Sequence, residues 1–537
     1  MQPTKSNSPS IVGDRWPFFW AGCAAIAMGV ALHLPMLAMA HDMGNHLAGM
    51  PMDGWMYLGM ALIFLGVPAA IFGALPKHRA PHDSHAGTMF EAPDTTPFGK
   101  WHAGVLLVLT LGLVIDTMKP ATLGFVLPGM RGEYGIASET AALLPFVALL
   151  GTTVGSFVWG WLADIYGRRV SILLSTILFV STSICGAMPA FEWNLVMCFL
   201  MGASAGGLLP ITFTLMAETI PAAHRGWLLV ALGGIGTSAG YLLAAGAAAT
   251  LEPMFSWRVL WLLGLPTGAI IIALNRFIPE SPRFLSNAGL EHVARAVLRK
   301  FSGGAADAIE RDDAAHPDPP VIDEQHAAIG MRALMRGRHA RITIGLVVCG
   351  IAWGLVNFGV LLWLPVNLTA LGVDAKATSA LLAKSAIYAL PGIGVVIWLY
   401  HRWSSYRALV LFIGLTVLAL LALAALGLME VRAQAAVICV VAALLVSVSG
   451  VIAMLIPYAA EIYPVHLRGT GSGVIAASSK LGGILGAGLG VFGFFEQFAL
   501  SAILIALPMA ASMLMLLRHG VETRGVRLED IQASLER

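Results

Sequence analysis

The chain has 537 residues, 58% of them hydrophobic and only 12% charged, with a mean hydropathy of +0.79. A soluble core cannot hide that much apolar surface behind so few charges, so a water-soluble globular protein is excluded and an all-α integral membrane protein is indicated. The net charge of +2 says little by itself; its distribution along the chain says more.

Apolar runs long enough to span a bilayer, roughly 20 residues each, set the order of elements. They fall near 16–40, 55–75, 102–129, 141–163, 171–188, 194–215, 228–250, 257–277, 342–364, 379–400, 408–428, 433–458, 471–493 and 498–517, about 14 helices in all. Alternating the loops from a cytoplasmic N-terminus puts about 25 of the 32 Lys and Arg on the cytoplasmic side. Both termini are therefore expected in the cytoplasm, with the chain in the plasma (inner) membrane. The five cysteines (Cys23, Cys185, Cys198, Cys349 and Cys439) lie inside spans without a CxxC pair and read as small apolar residues.

The first run ends in Ala38-Met39-Ala40, which looks like a cleavage site. Its apolar part exceeds the about 7–15 residues of a signal peptide and its leader is barely basic, so it is expected to stay as a span. The loop that follows, predicted outside, is rich in His and Met from His33 to Met60. Thioether and imidazole groups suit Cu(I), which makes His41, Met43, His46, Met50 and Met52 an alternative ligand set for a copper-handling permease or a metal-sensing head. Met is also ordinary apolar filling, and no metal or other cofactor is the first expectation. Residues 77–101, with Pro, His and small polar side chains, read as a cytoplasmic linker.

Span 102–129 carries Asp116, Lys119 and Pro120 at its middle. A carboxylate there is costly unless it meets a cavity or a partner, so function is the default reading. Lys119 lies three residues on, within pairing reach on a helix. Proline removes the bond to the Asp116 carbonyl, four residues back. An acid poised between burial and a nearby cation can exchange a proton as substrate comes and goes, and Asp116 with Lys119 are the proton-coupling candidates. The alternative is a permanent ion pair fixing a kink.

GWLADIYGRR follows the next span, with Asp164, Arg168 and Arg169. AETIPAAHRG, with Glu218 and Arg225, ends a later span, and AEIYPVHLRG, with Glu461 and Arg468, repeats it in the second half. Glu280-Ser281-Pro282-Arg283 is echoed by Glu522-Thr523-Arg524 at nearly the same offset. Two motifs repeated at one offset mean an internal duplication, and parallel repeats place a substrate site between the halves near the midplane. Where the loop motif should recur, the sequence reads His401-Arg402-Trp403-Ser404-Ser405-Tyr406-Arg407, which keeps cations but loses the G-x-x-x-D core.

GWLADIYGRR resembles the loop signature of the major facilitator superfamily, and PESPRFL and VETRGVRLEDI resemble the signatures of its sugar-porter branch. The resemblance covers roughly residues 101–537. It implies the major facilitator fold, two six-helix bundles preceded here by two extra helices. The expected divisions are 1–76 (two-helix extension), 77–101 (linker), 102–278 (first bundle), 279–341 (cytoplasmic loop), 342–518 (second bundle) and 519–537 (tail). It further implies a cytoplasmic gate latch made by Asp164, Arg168, Arg169, Glu218, Arg225, Glu461 and Arg468, lopsided toward the first half.

Lys480 lies about nine residues, roughly 14 Å, into its span, too deep to snorkel easily. A buried cation with no local acid suggests an anionic substrate or a partner in the other half. Asn357, Trp353, Tyr241 and Ser447 are further substrate-binding candidates, with Trp363, Ser449 and Tyr458 behind them. Hexoses are normally held by amides, and no Gln lies deep in a span. The pattern resembles metabolite:proton symporters related to sugar porters. No Walker A sequence or catalytic triad spacing is present, so neither an ATP-driven pump nor an enzyme is indicated. The reading is a monomeric secondary transporter, partnered by lipid, protons and a small molecule and by no nucleic acid. It carries a small organic anion by proton-coupled alternating access; a proton-coupled efflux carrier is the alternative.

Overall fold

A computed structural model describes residues 15–36, 39, 46–75, 98–287, 290–302, 337–370, 375–429, 433–463 and 465–523. The side chains of Asp164, Glu461 and Arg468, and residues His41 and Met43, lie outside the described set. Among the described residues the chain is helical, without strands, and 14 helices are long and apolar enough to cross a membrane. Each falls on one of the apolar runs of the sequence. Lipid offers no partner to a backbone amide, so spans of this composition satisfy their own hydrogen bonds as helices.

An N-terminal hairpin pairs α1 (Trp16–Ala31) with α2 (Gly54–Ala74). Gly29 and Gly59 let the two backbones touch: a Cβ on Gly29 would lie 2.6 Å from the Gly59 carbonyl oxygen, and one on Gly59 would lie 2.7 Å from that of Gly29. Small residues at such a crossing allow close van der Waals packing in a medium with no hydrophobic drive between helices.

The first six core helices follow. They are α3 (Lys100–Tyr134), α4 (Leu143–Tyr166), α5 (Arg168–Ser181), α6 (Phe191–Thr219), α7 (Ala222–Phe255) and α8 (Gly264–Leu274). A short amphipathic helix, α9 (Glu291–Ser302), packs Val293, Ala294 and Val297 on Phe284 and Leu285. The second set is α10 (Gly337–Leu355), α11 (Ala375–Arg402), α12 (Ser405–Leu428), α13 (Gln434–Ile462), α14 (Val465–Val491) and α15 (Phe498–His519). α10 runs on through a π-helical stretch, Val356–Leu361, into Leu362–Ala370.

The hairpin seats on α5. Phe19, Ile26 and Ala70 pack with Ile172, Leu173 and Phe179. Its loop is pinned by main-chain bonds: Leu47 and Ala48 N–H donate to Glu133 Oε1 at 2.6 and 3.1 Å, and Gly49 N–H donates to the Pro189 carbonyl at 3.0 Å. Glu133 also takes Arg258 in a forked pair, Nη2 to Oε1 at 2.7 Å and Nε to Oε2 at 3.1 Å. Arg258 also donates to the carbonyls of Gly186 and Met188 and to the Tyr134 hydroxyl.

Met50 and Met52 join Met36, Met56 and Met60 in an apolar cluster against Ile184 and Met188. His46 is exposed. Among the described residues no group of three or more His, Cys, Asp or Glu is placed to hold a metal. Met50 and Met52, two of the thioethers that suggested copper, are packing groups here.

Candidate functional site

The two sets of helices meet across one cavity of about 210 Å³, lined from both halves. On one side of it Gly124 of α3 touches the Leu362 carbonyl, and Phe146 of α4 touches Gly488 of α14. On the other, Gly233 and Gly234 of α7 meet Ala453 of α13 and Ile393 of α11.

Asp116 and Lys480 both line it, the acid from α3 and the cation from α14. Asp116 is 7% exposed. The two groups interact electrostatically but form no direct ion pair within 4.0 Å, and no described residue hydrogen-bonds to the Asp116 carboxylate. Lys480 instead donates to Ser156 Oγ of α4, a cross-half partner of the kind its isolation suggested.

Trp353, Asn357 and Tyr241 also line the cavity, as does Ser449. Trp353 Nε1 donates to the Val448 carbonyl at 3.0 Å, so its ring is fixed as a wall. Asn357 lies in the π-helical stretch, a distortion that recurs at functional sites. The Tyr241 hydroxyl is buried and has no hydrogen-bond partner among the described residues. Phe125, Phe213 and Phe358 complete an aromatic lining.

Four candidate residues fall elsewhere. Lys119 turns away from Asp116 and the cavity, 1% exposed, donating to the Phe179 carbonyl at 2.9 Å and Thr182 Oγ1 at 3.1 Å. Its ammonium also sits 3.7 Å from the centre of the Phe179 ring. The alternative of a permanent Asp116–Lys119 ion pair is therefore not what the structure forms; on a helix, three residues is a 60° offset, enough for one side chain to face a neighbouring helix and the other a cavity. Ser447 bonds back to the Leu444 carbonyl and is buried off the cavity wall. Tyr458 is tied to the main chain of Val521, and Trp363 stacks on Phe495.

The motif residues gather at the membrane face where α4 ends and α5 begins. Arg168 reaches Glu218 at 3.4 Å and the Ala163 carbonyl at 3.2 Å. Arg225 Nη2 donates to the Ile220 carbonyl at 3.3 Å. Glu280 closes the start of α5: it accepts from Arg168 N–H at 2.7 Å, Arg169 N–H at 3.3 Å and Ser281 N–H at 3.1 Å. Burial pushes this carboxyl up to about 7, against the lowering effect of those N–H groups and of Arg168. Glu522 holds the equivalent place in the second half, accepting from Ser405 N–H at 3.2 Å and from the hydroxyls of Ser404 and Ser405.

Helices in two sets around a shared cavity, with charged motifs at one face, define a many-span membrane transporter rather than an enzyme. The chain belongs to the Major Facilitator Superfamily, whose family model matches residues 105–487. It is 28% identical over 457 residues to the niacin transporter NiaP of Acinetobacter baylyi, covering 82% of this chain and 98% of that one. It is 25% identical over 437 residues to the gallate transporter of Pseudomonas putida, covering 80% and 94%. In fold it is similar to the proton:xylose symporter XylE bound to 6-bromo-6-deoxy-D-glucose, with a TM-score of 0.62 and 19% identity over 81% of this chain and 99% of that one. The matches begin past the N-terminal hairpin in the family model, so α1 and α2 stand outside it.

Proposed function

We propose that this transporter carries a small aromatic carboxylate across the plasma (inner) membrane together with protons, by alternating access. The observation that carries the reading is the arrangement of Asp116 and Lys480, opposite charges on one aromatic-lined cavity without a direct ion pair. An unpaired cation in a space of about 210 Å³ matches the charge and size of a one-ring acid. The relatives named for niacin, a pyridine carboxylic acid, and gallate, a trihydroxybenzoate, support that class. The scarcity of amides at the cavity, where Asn357 is the one lining amide among the described residues, argues against a sugar.

In this reading Lys480 holds the carboxylate, Tyr241 and Asn357 bond polar groups on the ring, and Asp116 takes and releases the proton. Arg168, Arg169, Glu218 and Glu280, with Asp164, Arg225, Glu461 and Arg468, form the latch at the cytoplasmic face, with both termini on that side. Import and export use the same groups, because a carrier runs in the direction of its gradients.

The test is uptake into proteoliposomes under an imposed pH gradient, with nicotinate, gallate, benzoate and xylose as labelled substrates. Nicotinate, gallate or benzoate should accumulate and xylose should not. Asp116→Asn should abolish accumulation while leaving exchange of internal for external substrate. Full gradient-driven uptake by Asp116→Asn, or accumulation of xylose alone, would sink the proposal.

A further inference from the structure

We propose that Trp353 and Phe358 form a rigid aromatic corner that selects flat, conjugated rings over saturated rings of the same size. The proposal rests on the carboxylate reading given above and deepens it by naming the side chains that read the ring.

The corner begins in the backbone. Trp353 lies near the end of α10, and Asn357 and Phe358 lie in the π-helical stretch that follows. At about 100° per residue, a side chain five positions on stands roughly 140° away round an α-helix. A π-helical turn closes its hydrogen bonds over five residues instead of four. The wider turn brings Phe358 back to the side of Trp353, and Trp353, Asn357 and Phe358 all line the cavity. The two rings meet edge to face, with centroids 6.1 Å apart and planes at 90°.

Both rings are seated on neighbouring helices. Trp353 Nε1 donates to the Val448 carbonyl of α13 at 3.0 Å. The Phe358 ring lies against Gly483 of α14, where a Cβ would stand 2.8 Å from Phe358 Cδ2. That contact is possible because α10 and α14 cross with their backbones touching. A Cβ on Gly354 would lie 2.5 Å from the Gly483 nitrogen, and one on Gly482 would lie 2.7 Å from the Ile351 carbonyl carbon. The same crossing carries Lys480, three residues before Gly483, on the wall of the same cavity. Cation and corner therefore belong to one closely packed pair of helices, which fixes the spacing between them.

A conjugated ring has a negative face and a positive edge, so it attracts another ring in offset-stacked or edge-to-face contact. Two rings at 90° offer both contacts together, because any flat ring stacked on one stands perpendicular to the other. A saturated six-membered ring buries a similar apolar area but is puckered and lacks that charge pattern. The carboxylate reaches for Lys480 in either case, so the ring alone decides the difference.

The test is binding to the purified full-length protein at neutral pH, with benzoate and cyclohexanecarboxylate as probes. Both are ionised there, and each carries one carboxylate on a six-membered ring. Benzoate should bind about three- to tenfold tighter, the range that an aromatic contact supplies beyond its buried area. Phe358→Leu should bring the two affinities together, mainly by weakening benzoate. Gly483→Ala should do the same from outside the cavity wall, by displacing the Phe358 ring. A general loss of packing lowers both affinities and leaves their ratio alone, so the ratio separates reading of the ring from a merely structural role. Equal affinities in the unaltered protein would overturn the proposal, and so would a ratio that survives Phe358→Leu. In either case the carboxylate reading stands, because both acids bind. If neither acid binds, that reading itself fails and the proposal with it.

Discussion

Glu280 accepts the backbone N–H of Arg168 at 2.7 Å, so an acid more than a hundred residues away in sequence closes the first turn of α5. Gly167, at φ 99°, makes room for it: a Cβ there would lie 2.7 Å from the Glu280 carboxyl carbon. Because burial lifts the folded-state value from the ordinary 4.5 to about 7, the contribution of this carboxyl to stability is complete below 4.5 and is lost as pH rises through about 7. Thermal unfolding from pH 4 to 8 should show the gap between the native protein and Glu280→Gln shifting over that window. A gap independent of pH would mean that the carboxyl titrates normally.

Arg258 and Glu133 are buried together, their side chains 1% and 5% exposed. Removing one partner leaves the other charged and unpaired, so Glu133→Ala should cost about 3–5 kcal/mol. Arg258→Ala should cost a similar amount, and the double variant should cost much less than the sum. Glu133→Ala should also speed hydrogen exchange at Leu47 and Ala48, whose N–H groups it loses as donors to Oε1.

Tyr241 offers a clean separation of binding from stability. Its hydroxyl has no partner among the described residues, so Tyr241→Phe removes an unsatisfied polar atom and should leave the melting temperature unchanged or slightly raised. If the substrate bonds to it, affinity should fall by about 0.5–1.5 kcal/mol, up to roughly tenfold in Kd. Equal affinity in binding titrations with nicotinate or gallate would place the substrate away from Tyr241.

Lys119→Met is expected to be mild. Thr182 Oγ1 already donates to the Phe179 carbonyl at 2.8 Å, so both former partners of the ammonium stay satisfied. Exchanging a buried charge for an apolar chain of similar length is often neutral or stabilising. Proton-driven uptake should persist, in contrast to Asp116→Asn. Loss of coupling with normal folding in Lys119→Met would restore Lys119 to the proton path.

At the hairpin, Gly29→Leu should force α1 and α2 apart, since even a methyl group at that position would meet the Gly59 carbonyl oxygen at 2.6 Å. Overpacking of this kind costs about 1–3 kcal/mol. Protease susceptibility of the loop at Leu47–Gly49, compared with that of the core, would show whether the damage is confined to the hairpin.

The spans and the duplication were legible in the sequence because both are one-dimensional signals: runs of apolar residues about 20 long, and two motifs recurring at one offset. The pairing of charges was not. Asp116 and Lys119 are neighbours in sequence, yet tertiary packing turns Lys119 onto α5 and sets Asp116 beside a lysine from the far end of the chain. Ser156 carried no signal, being one hydroxyl in an apolar run whose neighbours across α6 only folding reveals. Glu280 and Glu522 did carry one, the echo of their motifs, but the sequence pointed to a repeat without saying that each acid closes the third helix of its own half.

The N-terminal hairpin touches the half that contains α5, Glu133 and Met188, and is fastened there by main-chain bonds as well as by packing. In the alternating access proposed above, eight helices would ride as one body against six, and since the broader body is the slower to turn in a viscous bilayer, the lighter half would sweep the larger arc. A rigid marker fixed to α1 or α2 would report the orientation of the heavy half alone, and so give a still frame against which the motion of the other could be measured.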